Sequence, residues 1–304
     1  MAALHQLLSD IDSWQILAIA AKTMLYAACF VAGGGALFLQ TFSSYVHDRE
    51  QRQIRQVVAG AAIAGMLFSA LHIVVMNGML SGSWSDAFDL KMTRMILSTA
   101  QGPSLCLRVA GLGLIALLAS NRIRGRLRFI ALLGAVLTTL SLGVVGHASE
   151  LASETSPIPQ LLIFLHLLTV AFWLGALWPL HRLTYHRGIG DIAMVMSRFG
   201  KLAIAVVAGL LVAGTLLLWM LLGSIGALWQ SAYGQLMLVK LAAVAMLLML
   251  AAFNKLRLTP RLAAGDQSAI LAIRKSIVAE ITIAAMILLI TASITTLLGP
   301  PSLN

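Results

Sequence analysis

Eight times along the chain, about twenty consecutive residues run with few or no charges: roughly 14–41, 57–80, 100–120, 129–146, 160–180, 202–223, 233–253 and 277–297. A helix needs ~20 apolar residues to cross a hydrocarbon layer of roughly 30 Å, so each stretch is long enough to span one. Inside such a layer every backbone polar group must be paired within the segment, which leaves helices or closed barrels. Period-two alternation is absent and Leu, Ala and Met dominate. The sequence therefore predicts an all-α integral membrane protein with eight transmembrane helices. Only 11% of the 304 residues are charged, against about 25% in soluble domains.

The net charge of +10 might suggest nucleic acid, but its placement argues for topology instead. Arg49, Arg52 and Arg55 follow the first stretch, and Arg122, Arg124, Arg126 and Arg128 follow the third. Arg182, Arg187, Arg198 and Lys201 follow the fifth; Lys255, Arg257, Arg261, Arg274 and Lys275 follow the seventh. Cytoplasmic loops collect Lys and Arg, so these four loops are expected inside and both termini outside. The outer segments then hold Asp10, Asp12, Asp86, Asp89, Glu150 and Glu154 against Lys91 and Arg94. The N-terminal "MAALHQLLSDIDSW" lacks a basic region before its apolar run and is expected to be retained. Cys29 and Cys106 form no CxxC motif and read as small buried side chains.

The chain reads as a duplication. "VVAGAAIAG" at 57–65 returns as "VVAGLLVAG" at 206–214, and Gly102 precedes Arg108 by six residues as Gly234 precedes Lys240. "SNRIR" at 120–124 matches "FNKLR" at 253–257, and "GHAS" matches "GPPS" at the ends of the fourth and eighth stretches. Four crossings per repeat return the chain to its starting side, so one domain spans 1–304 as two parallel four-helix repeats, about 14–146 and 160–297. Small residues such as "AGGGA" at 32–36 suit close helix contacts. His72 aligns with Leu221 and His147 with Pro300, so candidate ligands have collected at some positions and not at their counterparts in the other repeat.

Those histidines gather toward the outer face. His147 ends the fourth stretch, and His166 lies six residues into the fifth, about 9 Å deep. His72 lies about 12 Å deep in the second, with Met76 and Met79 on the same helical face above it. Outside stands "SGSWSDAFD" with Asp86 and Asp89, then Met92 and Met95. Imidazole and thioether are soft donors suited to copper, above all Cu(I), and carboxylates at an entrance attract cations. Methionines at helical spacing also serve as core filler, the reading given to Met246 and Met249. His5 reads as a tail residue, and His47, His181 and His186 as surface residues beside cytoplasmic arginines.

Lys22, Arg108 and Lys240 fall in the outer halves of their stretches, either snorkelling to the interface or turning inward toward an anion, a carboxylate or a propionate. Glu280, near the cytoplasmic end of the last stretch, reads as a cap or the partner of a nearby base, with receipt of a proton or ion leaving the protein as the alternative. "HRGIGDIAMVMSRFGK" at 186–201 reads as a short interfacial helix with Ile192, Val195, Met196 and Phe199 on one side.

"GHAS" at 146–149, "HLLTVAFWLGALWPL" at 166–180 and "YGQLMLVKL" at 233–241 resemble the copper resistance protein D (CopD) family. "SGSWSDAF" at 81–88, "RKSIVAEI" at 274–281 and the closing "GPP" fit it too. The resemblance implies a bacterial inner-membrane protein of eight helices that handles copper, often beside a periplasmic copper-binding partner of the CopC type. It carries over to His147, His166, Trp173, Gly175, Trp84 and Asp86, with Trp173 and Gly175 as packing residues. His72 is not part of that pattern.

Three functions follow. The first is a copper permease that receives the ion at His147, His166 and Asp86, with Met76, Met79 and His72 below. No nucleotide-binding loop or phosphorylated-Asp motif is present, so movement would follow the gradient, the membrane potential or a proton, and the potential favours import of a cation. The second is a b-type haem protein with His72 and His166 as axial ligands and the basic residues meeting propionates. The third is a docking subunit that hands copper to a partner without transporting it. No nucleophile stands with a base and an orienting acid, which argues against a hydrolase. The lipid bilayer is the constant partner, a homo-oligomer is compatible, and nucleic acid is not expected.

Overall fold

The computed structural model describes residues 11–119, 127–145, 157–186 and 188–298, and these form helices and connecting turns without a strand. The helices are α1 (Ser13–Phe42), α2 (Asp48–Ser81), α3 (Leu90–Leu97), α4 (Gln101–Ala116), α5 (Leu127–Gly143) and α6 (Ile158–His186). They continue as α7 (Ile189–Leu222), α8 (Ala227–Gln230), α9 (Ala232–Phe253), α10 (Thr259–Ala263) and α11 (Ser268–Leu297). The end of the bundle at which α1, α4, α6 and α9 begin is its upper end below.

Among the described residues, six helices are long and apolar enough to cross a membrane: α1, α2, α6, α7, α9 and α11. The third and fourth predicted spans are shorter. α4 has 16 residues and continues in a 3-10 turn, Leu117–Ala119, and α5 has 17 residues. Sixteen residues rise about 24 Å, less than the hydrocarbon thickness.

α1 is the organising helix. Its N-terminus is fixed by a reciprocal cap: Gln15 N–H donates to Asp12 Oδ1 at 2.7 Å and Asp12 N–H to Gln15 Oε1 at 3.0 Å. Leu25, Cys29, Ala32, Ala36 and Leu39 form a buried stripe at alternating four- and three-residue spacing. α1 packs against α2, α5, α6 and α11. Its crossing with α6 is backbone on backbone. A Cβ on Gly34 would lie 1.7 Å from the Ala171 carbonyl oxygen, and one on Gly175 would lie 2.3 Å from the Gly34 carbonyl carbon. The glycine run and Gly175 permit this approach, as their small size predicts.

Three expectations change. The segment at 186–201 is not a separate interfacial helix: α7 runs unbroken over 34 residues. Ile192 and Val195 are buried, and Phe199 stacks on Phe172 at 5.9 Å between centroids, so its apolar face meets protein rather than lipid headgroups. Cys29 is buried, but Cys106 is exposed on the outside of α4. Met246 and Met249 face outward and fill no core.

At the lower end α9 passes through a π-helical segment, Asn254–Leu258, into α10. Pro260 lacks an N–H and crowds the carbonyl four residues back, and a widened turn absorbs that fault. Gly265, at φ 86°, turns the chain into α11. There Asp266 accepts from Ser268 Oγ at 2.6 Å and pairs with Arg261 at 2.7 Å. Hydrogen bonds from Ser268, then from Arg261, hold its carboxyl below the usual carboxylate range.

Candidate functional site

The upper loop carrying Asp86 is tied down by Asn77, a residue the sequence did not single out. Its Nδ2 donates to the Ala87 carbonyl at 3.1 Å and to Thr93 Oγ1 at 2.8 Å, from a side chain 1% exposed. Asp86 sits in the short turn Asp86–Phe88, exposed, accepting from Ser85 Oγ at 3.1 Å. Trp84 lies over Trp14 with centroids 4.1 Å apart, and Trp14 fills the space that Gly78 leaves on α2. His147 lies outside the described residues.

His72 is buried on α2, and its Nδ1 has no hydrogen-bond partner among the described residues. Lys22 and Arg108 stand within electrostatic reach. Both turn inward rather than snorkelling, and neither meets a carboxylate among the described residues. Arg108 donates to Ser104 Oγ at 2.8 Å and Ser141 Oγ at 3.3 Å, whereas Lys22 Nζ donates to the Thr295 carbonyl at 3.0 Å. Met76 is half-buried and Met79 exposed, one and two turns above His72.

His166 occupies a different setting. It lies on α6 with Val170, Trp173 and Leu177 at successive turns, a stripe facing a groove between α7 on one side and α9 and α11 on the other. Two adjoining cavities of about 190 and 230 Å³ both take in His166 and Lys240. Their remaining lining is almost wholly apolar, with Ile163, Val170, Met237 and Leu288 common to both. His166 Nδ1 is buried without a hydrogen-bond partner, 3.3 Å from where a Cβ would stand on Gly214. The Leu210 backbone also lies within hydrogen-bonding reach of the ring. His72 lines neither cavity, and α1 packs against both α2 and α6, so the two histidines face separate spaces. Among the described residues, no three His, Cys, Asp or Glu side chains gather as a metal cluster.

Further down, a third cavity of about 530 Å³ shares Trp173, Leu211 and Leu248 with the one above and holds Glu280, Asn254 and Lys255. Glu280 is paired with no base among the described residues. Its Oε1 accepts from Asn254 Nδ2, and the Trp173 side chain also hydrogen-bonds to it. Trp173, expected only to pack, is thus a polar partner as well. A tryptophan seven residues below a histidine on one helix face was the signal available for this in the sequence.

Two family models match the chain: Copper resistance protein D over residues 193–294, and Copper resistance protein D-like, N-terminal domain, over residues 11–157. α6 lies between the two matched ranges. The chain is 28% identical over 210 residues to the inner membrane protein YebZ of Escherichia coli (strain K12), covering 66% of this chain and 70% of YebZ. It is 25% identical over 259 residues to Copper resistance protein D of Pseudomonas syringae pv. tomato, covering 80% and 83%. It is 26% identical over 298 residues to Copper transport protein CutJ of Bacillus subtilis (strain 168), covering 92% of this chain and 52% of CutJ, about half that protein's length. No solved structure matches.

Proposed function

Because this chain belongs to the copper resistance protein D family, we propose that it carries copper across the bacterial inner membrane, from periplasm to cytoplasm. A multi-pass inner-membrane location and a copper-related role accord with the relatives and with six membrane-length helices. In the proposal α4 and α5 complete eight crossings as two parallel repeats, both termini are periplasmic, and the upper end faces the periplasm. Copper enters past Asp86 and His147, is taken by His166, and has His72, Met76 and Met79 as further soft donors on α2. A periplasmic copper protein of the CopC type would deliver it at the loop that Asn77 holds.

One observation carries the reading: His166 Nδ1 is buried, unpartnered and open to a cavity. An unsatisfied buried polar atom costs about 1–3 kcal/mol. A bound cation with affinity for imidazole removes that cost, and copper is such a cation. Lys240 opposes a bare cation there, so copper binding would be strongest with Lys240 displaced or neutral.

The test is copper uptake into proteoliposomes by wild type and His166→Ala, with copper binding and an optical spectrum recorded on the same preparations. Uptake and binding lost together in His166→Ala support the proposal. A haem Soret band that disappears in the variant would replace permeation with electron transfer. Copper exchange with a CopC-type protein in the absence of uptake would leave only the docking role.

A further inference from the structure

We propose that Glu280 is a proton-exchanging group, and that the lower cavity couples proton movement to passage of the cation taken up at His166. The inference rests on the copper-transport reading for what is coupled, but the proton site stands on its own geometry.

Glu280 is 4% exposed, about 18 Å along α11 from its start. Its partners, Asn254 and Trp173, are neutral. The surrounding bases are engaged elsewhere. Lys255, in the same cavity, donates to the Gly200 carbonyl at 2.9 Å. On α11 itself Arg274 bonds the Thr184 hydroxyl at 3.0 Å and carbonyl, and covers the Tyr185 ring. On α6 Arg182 reaches Gln53 Oε1 at 3.5 Å, and His181 lies edge-on to Tyr185. Arg261 on α10 pairs with Asp266. An intramembrane carboxylate with no cationic partner is costly and is neutralised by a proton or a bound cation.

A second orphan faces the same space. Asn254 Oδ1 is buried with no donor. It is an acceptor beside a carboxyl, in a cavity large enough for water, and a protonated carboxyl or a hydrated proton supplies the missing donor. The π-helical segment begins at Asn254, and such bulges recur at functional sites. Both donors are hard oxygens, unlike the soft set proposed for copper above, which assigns the lower station to the proton. Glu280 gives its proton to cytoplasmic water as a cation arrives from the adjoining cavity, and regains one from the upper side through the adjoining cavities when the cation leaves, so one proton moves inward with each cation. No other reactant is consumed.

The experiment uses the full chain in liposomes. Infrared difference spectra follow the carboxylic-acid C=O band through a pH titration, and an internal pH dye follows proton movement during copper uptake. The expected result is a titrating band in wild type that is missing in Glu280→Gln, with proton movement abolished in that variant and copper binding at His166 unchanged. Glu280→Asp should keep the band at a shifted frequency, and it serves as the test should Glu280→Gln fail to fold. A wild-type band that never appears, coupled proton movement surviving in Glu280→Gln, or a band displaced by Na⁺ instead of pH would each overturn the proposal. A titrating Glu280 band with no copper uptake would confirm the proton site and sink the copper-transport reading alone.

Discussion

Around His72 the buried cations are answered: Arg108 by two serine hydroxyls and Lys22 by the Thr295 carbonyl. Around His166 they are not, since Lys240 has no hydrogen bond or ion pair among the described residues. Both regions bury a histidine beside basic side chains in the upper half of the bundle. Each leaves its imidazole Nδ1 without a partner among the described residues, but the first answers its basic side chains with neutral dipoles, whereas the second leaves Lys240 facing cavities. Satisfied polar groups in a low-dielectric interior rigidify, whereas orphans mark places where something else binds or moves.

The comparison breaks outright if the seam joining the two regions fails. Gly175→Leu forces side-chain atoms into the α1 backbone and should cost at least about 3 kcal/mol. Size-exclusion of the detergent-solubilised variant should show aggregate in place of the monodisperse species, while Gly60→Leu, where a Cβ meets nothing within 4 Å, should elute as wild type. A paired substitution sharpens the contrast. Arg108→Met should lower thermal stability by about 2 kcal/mol by removing charge-assisted bonds, whereas Lys240→Met should leave it unchanged or raised. Equal losses would mean that Lys240 is as structural as Arg108. Copper titration of the histidine variants comes next. His166→Ala should bind at least about tenfold more weakly, about 1.4 kcal/mol, and His72→Ala should lose less; the reverse order would move the site to α2. The smallest effect is at the rim: Asn77→Ala should cost about 1 kcal/mol, seen as faster hydrogen exchange confined to residues 82–90.

Membrane character and the helical class were legible because length and hydropathy alone decide them. The close crossing at Gly175 was legible for the same kind of reason, since a missing side chain can be read directly from sequence. Short spans were harder. α4 and α5 carry the apolar composition of a crossing, but among the described residues their helices run for 16 and 17 residues. At the site, the histidines stood out as costly intramembrane groups, but which of them shares a cavity depends on α1 lying between α2 and α6, a tertiary fact with no local signature. Asn77 and Asn254 were passed over because a lone amide near a helix end has many ordinary uses. Their roles emerge only from partners 10 and 26 residues away in the chain.

α7 has a consequence of its own. It shares the highest mean hydropathy of the spans, 2.5, with α9, yet only 11% of its apolar stretch is buried by protein. It packs against α6 and, at its lower end, against α10, while much of its remaining circumference faces cavities or acyl chains. The wall of the groove that holds His166 and Glu280 is therefore positioned in good part by lipid. Acyl-chain length enters as a mechanical variable: a thinner bilayer favours a more tilted α7, and a thicker one a more upright α7. The width of the groove is then a property of the protein together with the membrane around it.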